Sequence, residues 1–577
     1  MAFLRNLLAT LVGLFIFSII GFFLLIGIIG AASSEEAPTV KDNTILYLPM
    51  SGILQEKAVD DPFLDVFADA PPRHSLLDII QAINVAKEDD RVRGIYLEPM
   101  YLAGGYGAIQ EIRDALIDFK SSGKFVYAYG EYVSESDYYV ASVADSFFVN
   151  PTGAIEFNGL SANITFYKGM FDKLDIRPEI FRVGEFKSYV EPYIRKDMSD
   201  ENRLQYQDLL ESMYGTYLTN VAGAIGKSTD ELKAISSQMK VSLPQDAVEY
   251  GLITKVGYED ELKTVMKEKI GVNESKKLKM MSVSKYAEAV QAEAAYSRNK
   301  VAVIVAEGDL VMGGDEGIVG ARFAEEIRKA RENDRIKAIV LRVSSGGGSM
   351  TASDMIWREL MLTKGRKPII ASMSSAAASG GYYIAMPADT IIAQPNTITG
   401  SIGIFGMWFN FGDFLENKVG ITHDVVKTGE YSDIYTVTRT LSDAERAIIQ
   451  RGVNEGYETF TKKAADARGM TQENLKRIAS GRVWSGDQAV KNGLVDRLGG
   501  FNDAVELAVK AAEIEDDYAL LYYPEQKPVI EEFFDKMNAK FQVSLFGMES
   551  DMVTSHLKEL QQLEGLQARL PGNLTIE

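Results

Sequence analysis

The sequence predicts an α/β protein built as two tandem, similar halves and preceded by one membrane-spanning helix. Three features predict it: an internal repeat at constant offset, strand-like runs alternating with helical spacing in each half, and an uncharged apolar run near the amino terminus. Alternating strands and helices are the signature of α/β units.

No charged residue falls between Arg5 and Glu35, and Leu7 to Ala32 is dominated by Leu, Ile, Phe and Gly. A spanning helix needs about 20 apolar residues, which this run exceeds. A cleaved signal has a shorter apolar core of roughly 7–15 residues, so a retained anchor over 1–34 is expected, although Gly30-Ala31-Ala32 has the small side chains of a cleavage site. Arg5 before the helix, with Glu35 and Glu36 after it, keeps the amino terminus cytoplasmic and puts the body outside.

Asp90-Arg91-Val92-Arg93-Gly94-Ile95-Tyr96-Leu97 resembles Asp334-Arg335-Ile336-Lys337-Ala338-Ile339-Val340-Leu341, an offset of 334 − 90 = 244. Without a gap the match continues through Tyr138-Tyr139 against Tyr382-Tyr383, Asp145 against Asp389, Pro151 against Pro395 and Gly159 against Gly403. A later match, Ala247-Val248 to Ile253 against Ala489-Val490 to Val495, carries the duplication over most of both halves. The halves are placed at 44–281 and 301–515, with a polar, alanine-rich connector at 282–300. In the second half Ala338 to Val343 reads as a strand, Ser344 to Gly348 as a glycine-rich loop, Thr351 to Leu362 as a helix and Pro368 to Met373 as another strand. From Val529 to Leu570 the Met, Phe and Leu residues recur at helical spacing, which predicts a helical extension over 516–577 packed on the core or on another subunit rather than lining a substrate groove.

Composition narrows the chemistry. The 577 residues include no cysteine, which excludes disulfides and thiolate chemistry. Only His74, His423 and His556 are available for a histidine-based triad or metal centre. A net charge of −20 disfavours nucleic acid as partner.

Ser379 sits in Ala376-Ala377-Ala378-Ser379-Gly380-Gly381-Tyr382-Tyr383, a small-residue turn opening onto a helix-like segment. Small neighbours leave a nucleophile accessible and free backbone N–H groups for an oxyanion. At the repeat offset Ser379 faces Glu135, so the first half lacks the turn. Gly184-Glu185-Phe186-Lys187-Ser188 aligns after a one-residue shift with Gly429-Glu430-Tyr431-Ser432-Asp433, so the second half lacks the lysine. One half keeps a candidate nucleophile and the other a candidate base, which suggests a shared site. A lysine serves as base only when neutral, and burial among Phe186, Tyr189, Val190 and Tyr193 would lower its pKa. The same reasoning requires Glu185 and Glu191 to face water. Oxyanion donors are expected from Gly380 and from Gly347 and Gly348 in the triple-glycine loop, each worth ~2.7–4 kcal/mol of barrier.

Ser344-Ser345-Gly346-Gly347-Gly348-Ser349, Ala377-Ala378-Ser379-Gly380-Gly381-Tyr382-Tyr383, Thr399-Gly400-Ser401-Ile402-Gly403-Ile404 and Gly184-Glu185-Phe186-Lys187-Ser188 with Glu191-Pro192 resemble the motifs of the signal peptide peptidase A (protease IV) family, peptidase family S49, in its long form. The resemblance covers nearly the whole chain. It implies two tandem crotonase/Clp-like repeats of ββα units, a Ser379/Lys187 dyad and hydrolysis of peptide bonds without metal or organic cofactor. It further implies a homo-oligomer, commonly a bowl-like tetramer, anchored in a bacterial inner membrane with its body in the periplasm and acting on signal-peptide remnants and apolar peptides. Ser374-Ser375 departs from the glycines many relatives carry there. Two other functions fit parts of the sequence: a crotonase-type acyl-CoA enzyme, which would use the same paired N–H donors without the serine, and a non-catalytic membrane scaffold.

Overall fold

The structure is a computed structural model describing residues 2–32, 38–58, 71–293, 297–314, 316–525 and 566–570. Each half holds a parallel sheet. In the first, Thr44–Gln55, Val92–Ala103, Phe125–Val133, Ser146–Ile155 and Lys255–Val256 lie in that order, with Lys279–Ser282 on the far side of Thr44–Gln55. Such strands are covered on both faces, which is why they read as near-continuous apolar runs: Ile95, Leu97, Val126 and Ala128 are all fully buried. Helices Leu76–Glu88 and Tyr106–Lys120 turn apolar stripes onto this sheet, the first capped by Ser75 accepting from Asp78 N.

The second half repeats the plan with Lys300–Glu307, Ile336–Ser345, Ile369–Ala378, Thr390–Ala393 and Arg497–Leu498, and Ala519–Tyr523 takes the outer place beside Lys300–Glu307. The offset of 244 relates the helix pair Leu76–Glu88 and Gly320–Glu332, and the strand starts Phe125 and Ile369. The long helices Asp200–Ile225 and Asp443–Arg468 have the same length.

Two expectations change. The connector at 282–300 contains a helix, Val283–Glu293, whose Val283, Tyr286 and Ala289 are buried against the first-half core. Its alanine-rich composition hides an apolar residue every third position, so it belongs to the first half. The helical extension at 516–577 begins instead with the strand Ala519–Tyr523, and Gln567–Arg569 is a strand as well. The intervening 526–565, where helical spacing was expected, lies outside the described residues.

Residues Ala2–Ala32 form one helix, with Phe3, Leu8, Phe15 and Phe17 exposed. Side chains from 22 to 32 lie outside the described residues, and among the described residues no helix is both long and apolar enough to cross a membrane.

A third sheet joins the halves. Arg177–Val183 of the first pairs antiparallel with Ile404–Asn410 of the second, from Val183 opposite Ile404 to Arg177 opposite Asn410. Away from that sheet, buried Arg342 donates to Glu56 and Glu111 of the first half and to Ser372 of its own, each at 2.7–2.8 Å. The halves also approach closely where Ser375 meets Gly105, since a Cβ on that glycine would lie 2.5 Å from the serine Cβ. There Ser375 Oγ accepts from Ala108 N, so the second serine of the Ser374-Ser375 pair is a contact between halves.

Candidate active site

Strand Ile369–Ala378 delivers Ser379 to the start of helix Gly380–Ala385. The turn is tight: Ser379 has φ 56° and ψ −112°, a conformation that costs about 1–3 kcal/mol in a non-glycine residue and persists only where surroundings enforce it. Ser379 N donates to Gly400 O at 2.8 Å, and Tyr383 N donates to Ser379 O at 2.9 Å.

Lys187 arrives from the other half. The strand pair ending at Val183 and Ile404 carries the chain across, and the loop after it is clamped by Gln205, which donates to Phe186 O and Ser188 Oγ and accepts from Val483 N. Tyr189 stacks on Phe405 at 4.9 Å within an apolar cluster drawn from both halves. The Lys187 Nζ lies 2.7 Å from Ser379 Oγ, 3.0 Å from Ser401 O and 3.0 Å from Ser401 Oγ. Both Lys187 and Ser379 are fully buried. Burial alone pushes the amine well below its usual 10.5. A neutral amine has two N–H groups and one lone pair; the two Ser401 oxygens take the first, and the lone pair is left for the Ser379 hydroxyl.

Glu185 is exposed, as the base requires, whereas Glu191 is fully buried. The requirement that Glu191 face water is therefore overturned. Its carboxylate instead accepts from Ser199 N, Ser199 Oγ and Asn202 Nδ2, with Arg182 at 3.8 Å, so local donors neutralise it without Lys187.

The glycine loop lies beside the nucleophile. A Cβ on Gly347 would fall 2.9 Å from Gly380 N, and Gly347 N presently donates to Ser345 Oγ at 3.2 Å. Gly348 is held one place further along, paired with Leu310 and Ala568. In the first half the position matching Ser379 is a helix start: Ser134 and Asp137 form a capping box, and Glu135, pushed up to about 7 by burial, accepts from Asn158 N and Gly159 N. His423 is exposed and Ser432, opposite Lys187 in the repeat, is also exposed; His556 lies outside the described residues.

The model of peptidase family S49 matches residues 118–273 and 362–515, one stretch containing Lys187 and the other Ser379. The chain belongs to peptidase family S49. It is a serine peptidase of that family, and both family stretches fall on the two duplicated halves. Protease 4 of Salmonella typhi is 34% identical over 550 residues, covering 91% of this chain and 87% of that one. The chloroplastic serine protease SPPA of Arabidopsis thaliana is 33% identical, covering 84% of this chain and 72% of that one. Among solved structures, a point mutant of the 1510-N membrane-bound stomatin-specific protease aligns with 40% of this S49 chain and all of its own, at 14% identity and a TM-score of 0.27.

Ser401 is a contact residue to which the sequence alone assigns no role, although it lies in one of the motifs. Its signal is a serine between glycine-rich turns, 401 − 379 = 22 residues after the nucleophile candidate. Gly481 is missed in the same way. A Cβ there would stand 2.6 Å from both Lys187 Cβ and Lys187 N, at a backbone φ of 79°. Gly481→Ala must displace the lysine backbone, and a misplacement near 1 Å costs roughly a hundredfold in rate. The expected result is a folded protein with kcat reduced about that much; near-normal turnover on a quenched peptide would refute it.

Proposed function

We propose that this S49 peptidase is a membrane-anchored endopeptidase in which Ser379 is the nucleophile and Lys187 the general base, degrading signal peptides left after secretion and other apolar peptides. The contact between Lys187 Nζ and Ser379 Oγ at 2.7 Å, in a fully buried interface between halves, carries the reading. Ser379 Oγ attacks the scissile carbonyl while its proton passes to Nζ. Gly380 N and Gly347 N, the latter leaving Ser345 Oγ, hold the oxyanion. The C–N bond breaks as Nζ returns the proton to the leaving amine; water, deprotonated by the same amine, then attacks the acyl carbonyl, and the C–O bond to Ser379 breaks as Nζ returns the proton to Oγ. The positive end of helix Gly380–Ala385 favours the developing negative charge.

The remaining parts of the proposal rest on the motif resemblance and the amino-terminal run. Each half would be a crotonase/Clp-like repeat, and copies would assemble as a homotetramer. Residues 1–34 would anchor a single-pass protein in a bacterial inner membrane with the body in the periplasm; the charge-free stretch after Arg5 and the exposed Phe3, Leu8, Phe15 and Phe17 support this.

A fluorophosphonate reports the activated serine directly. Labelling should be abolished by Ser379→Ala, and its rate should climb with pH through the depressed Lys187 pKa, because only the neutral amine accepts the proton. Labelling that survives Ser379→Ala, or a rate flat from mildly acidic to alkaline pH, would remove the dyad.

A further inference from the structure

The groove beside the glycine loop is filled by the chain itself. Gln567, Ala568 and Arg569 run antiparallel to Gly347–Ser349, with Gly347 opposite Arg569, Gly348 opposite Ala568 and Ser349 opposite Gln567. On the other flank Gln567 pairs with Phe405. The ladder extends in both directions, since Leu570 N donates to Gly346 O at 2.6 Å and Met350 N donates to Leu566 O at 3.1 Å. Ala568 is fully buried, and a Cβ on Gly347 would collide with Ala568 O while lying 2.9 Å from Gly380 N. The segment therefore passes directly by the amide that follows Ser379.

Strand addition is a general way of holding a peptide: main-chain bonds supply affinity, and alternate side chains enter pockets that supply specificity. Here Leu566 and Ala568 pack on the second-half core and Leu570 on the first-half core. Arg569 and Gln567 bond to each other, Nε to Oε1 at 3.3 Å, and Arg569 Nη1 meets Asp309 Oδ2 at 3.0 Å. The Arg569 side chain is 7% exposed and that of Asp309 44%, so the contact is shielded from solvent on the arginine side only. Asp309 is pre-set by its own turn. Its carbonyl accepts from Ile318 N at 2.8 Å, and it lies so close to Gly317 that a Cβ there would be 2.6 Å from the carbonyl oxygen. The backbone that carries the acid is thus fixed by its own turn, apart from the segment the acid holds.

Resting on the reading of this site as a peptide-cleaving centre, we propose that the groove between Gly347–Ser349 and Phe405 seats the substrate as an antiparallel strand, that residues 566–570 occupy it as an internal stand-in, and that Asp309 selects a cationic side chain at the position of Arg569. The favoured substrate is an extended segment in which a Lys or Arg is flanked by apolar residues on alternate positions. The junction of the basic and apolar regions of a signal peptide has that chemistry.

The probes are two internally quenched decapeptides centred on Leu-Gln-Ala-Arg-Leu and Leu-Gln-Ala-Glu-Leu, given to the full chain in detergent. The Arg peptide should be cleaved with a kcat/KM about tenfold higher, mainly through KM, since one buried-side charge contact is exchanged for a like-charge pair. Asp309→Asn should compress this ratio and Asp309→Lys should invert it. Equal cleavage of the two peptides by the unaltered chain, or a ratio untouched by Asp309→Asn, overturns the assignment and leaves the peptidase reading standing. Arg569→Glu, which sets two carboxylates together in the resting chain, should lower KM for the Arg peptide severalfold; an unchanged KM overturns the internal stand-in. Fluorescence anisotropy with the Ser379→Ala chain separates the opposite failure. A preference for the Arg peptide in binding, with no turnover by the unaltered chain, retains the Asp309 subsite and rejects the reading of Ser379 and Lys187 as the cleaving pair.

Discussion

Replacing Lys187 with Met is expected to reduce peptide cleavage by roughly 10⁴-fold, the upper end of what a positioned general base contributes. Met keeps the length of the stem and its burial, so the fold should survive, and circular dichroism should be unchanged. Ser379→Ala should cost about 10⁶-fold, and the double variant no more than that, because groups that act on one proton are not additive. Retention of a tenth of the activity by either single variant would end the dyad. The same substitution has a second, independent signature in stability. In the native state burial holds the amine well below 10.5, whereas in the unfolded chain it is protonated up to about its reference value. Between those two pKa values the unfolded state binds one more proton, so stability rises with pH across that window. Lys187→Met removes the titrating group and should flatten this part of the Tm-against-pH curve. An identical slope in the variant and the unaltered chain would mean the amine is charged when folded.

Arg342→Leu is expected to lose about 3–5 kcal/mol of stability, the usual cost of breaking a buried ion cluster on one side only. Arg342 is fully buried, and Glu56 and Glu111 stand 2.7 Å from it. Glu307 lies beside them, accepting from Glu56 N and pushed up to about 7 first by burial and then by the Glu56 charge. Without the guanidinium these carboxylates would face one another with little compensation. Because Glu56 and Glu111 belong to the first half and Arg342 to the second, the damage should fall on the docking of the halves. Activity should then be lost at a lower urea concentration than the helical signal, since the proposed site needs both halves. Adding Glu56→Gln and Glu111→Gln should recover part of the loss by removing the unpaired charge. A denaturation midpoint for Arg342→Leu equal to that of the unaltered chain would contradict the account.

Much of this architecture is legible in local patterns. Parallel strands covered on both faces must be apolar along most of their length, and runs such as Ala338 to Leu341 show it. The duplication is visible because the two halves satisfy the same packing constraints at the same spacing, as Leu76–Glu88 and Gly320–Glu332 do. The turn at Ser379 is readable from its alanines and glycines, since few other residues fit where backbone comes that close. The carboxyl-terminal strand is not readable. Leu566, Ala568 and Leu570 alternate as a strand requires, but five residues beside a longer stretch of helical spacing do not decide between two periods; an open sheet edge does.

Reading along the chain is enough for the α/β class, the two halves, the candidate pair Ser379 and Lys187, and the chemistry excluded by the absence of cysteine. It takes the folded molecule to show that Ser401 completes the lysine's contacts, that Glu191 is buried yet neutralised elsewhere, and that Asp309 and Arg342 face partners distant in the chain, Arg569 and Glu111. The difference is one of range. Periodicity and turn chemistry are set by neighbours along the chain, whereas the partner of a buried charge is set by which surfaces remain open once the strands have paired.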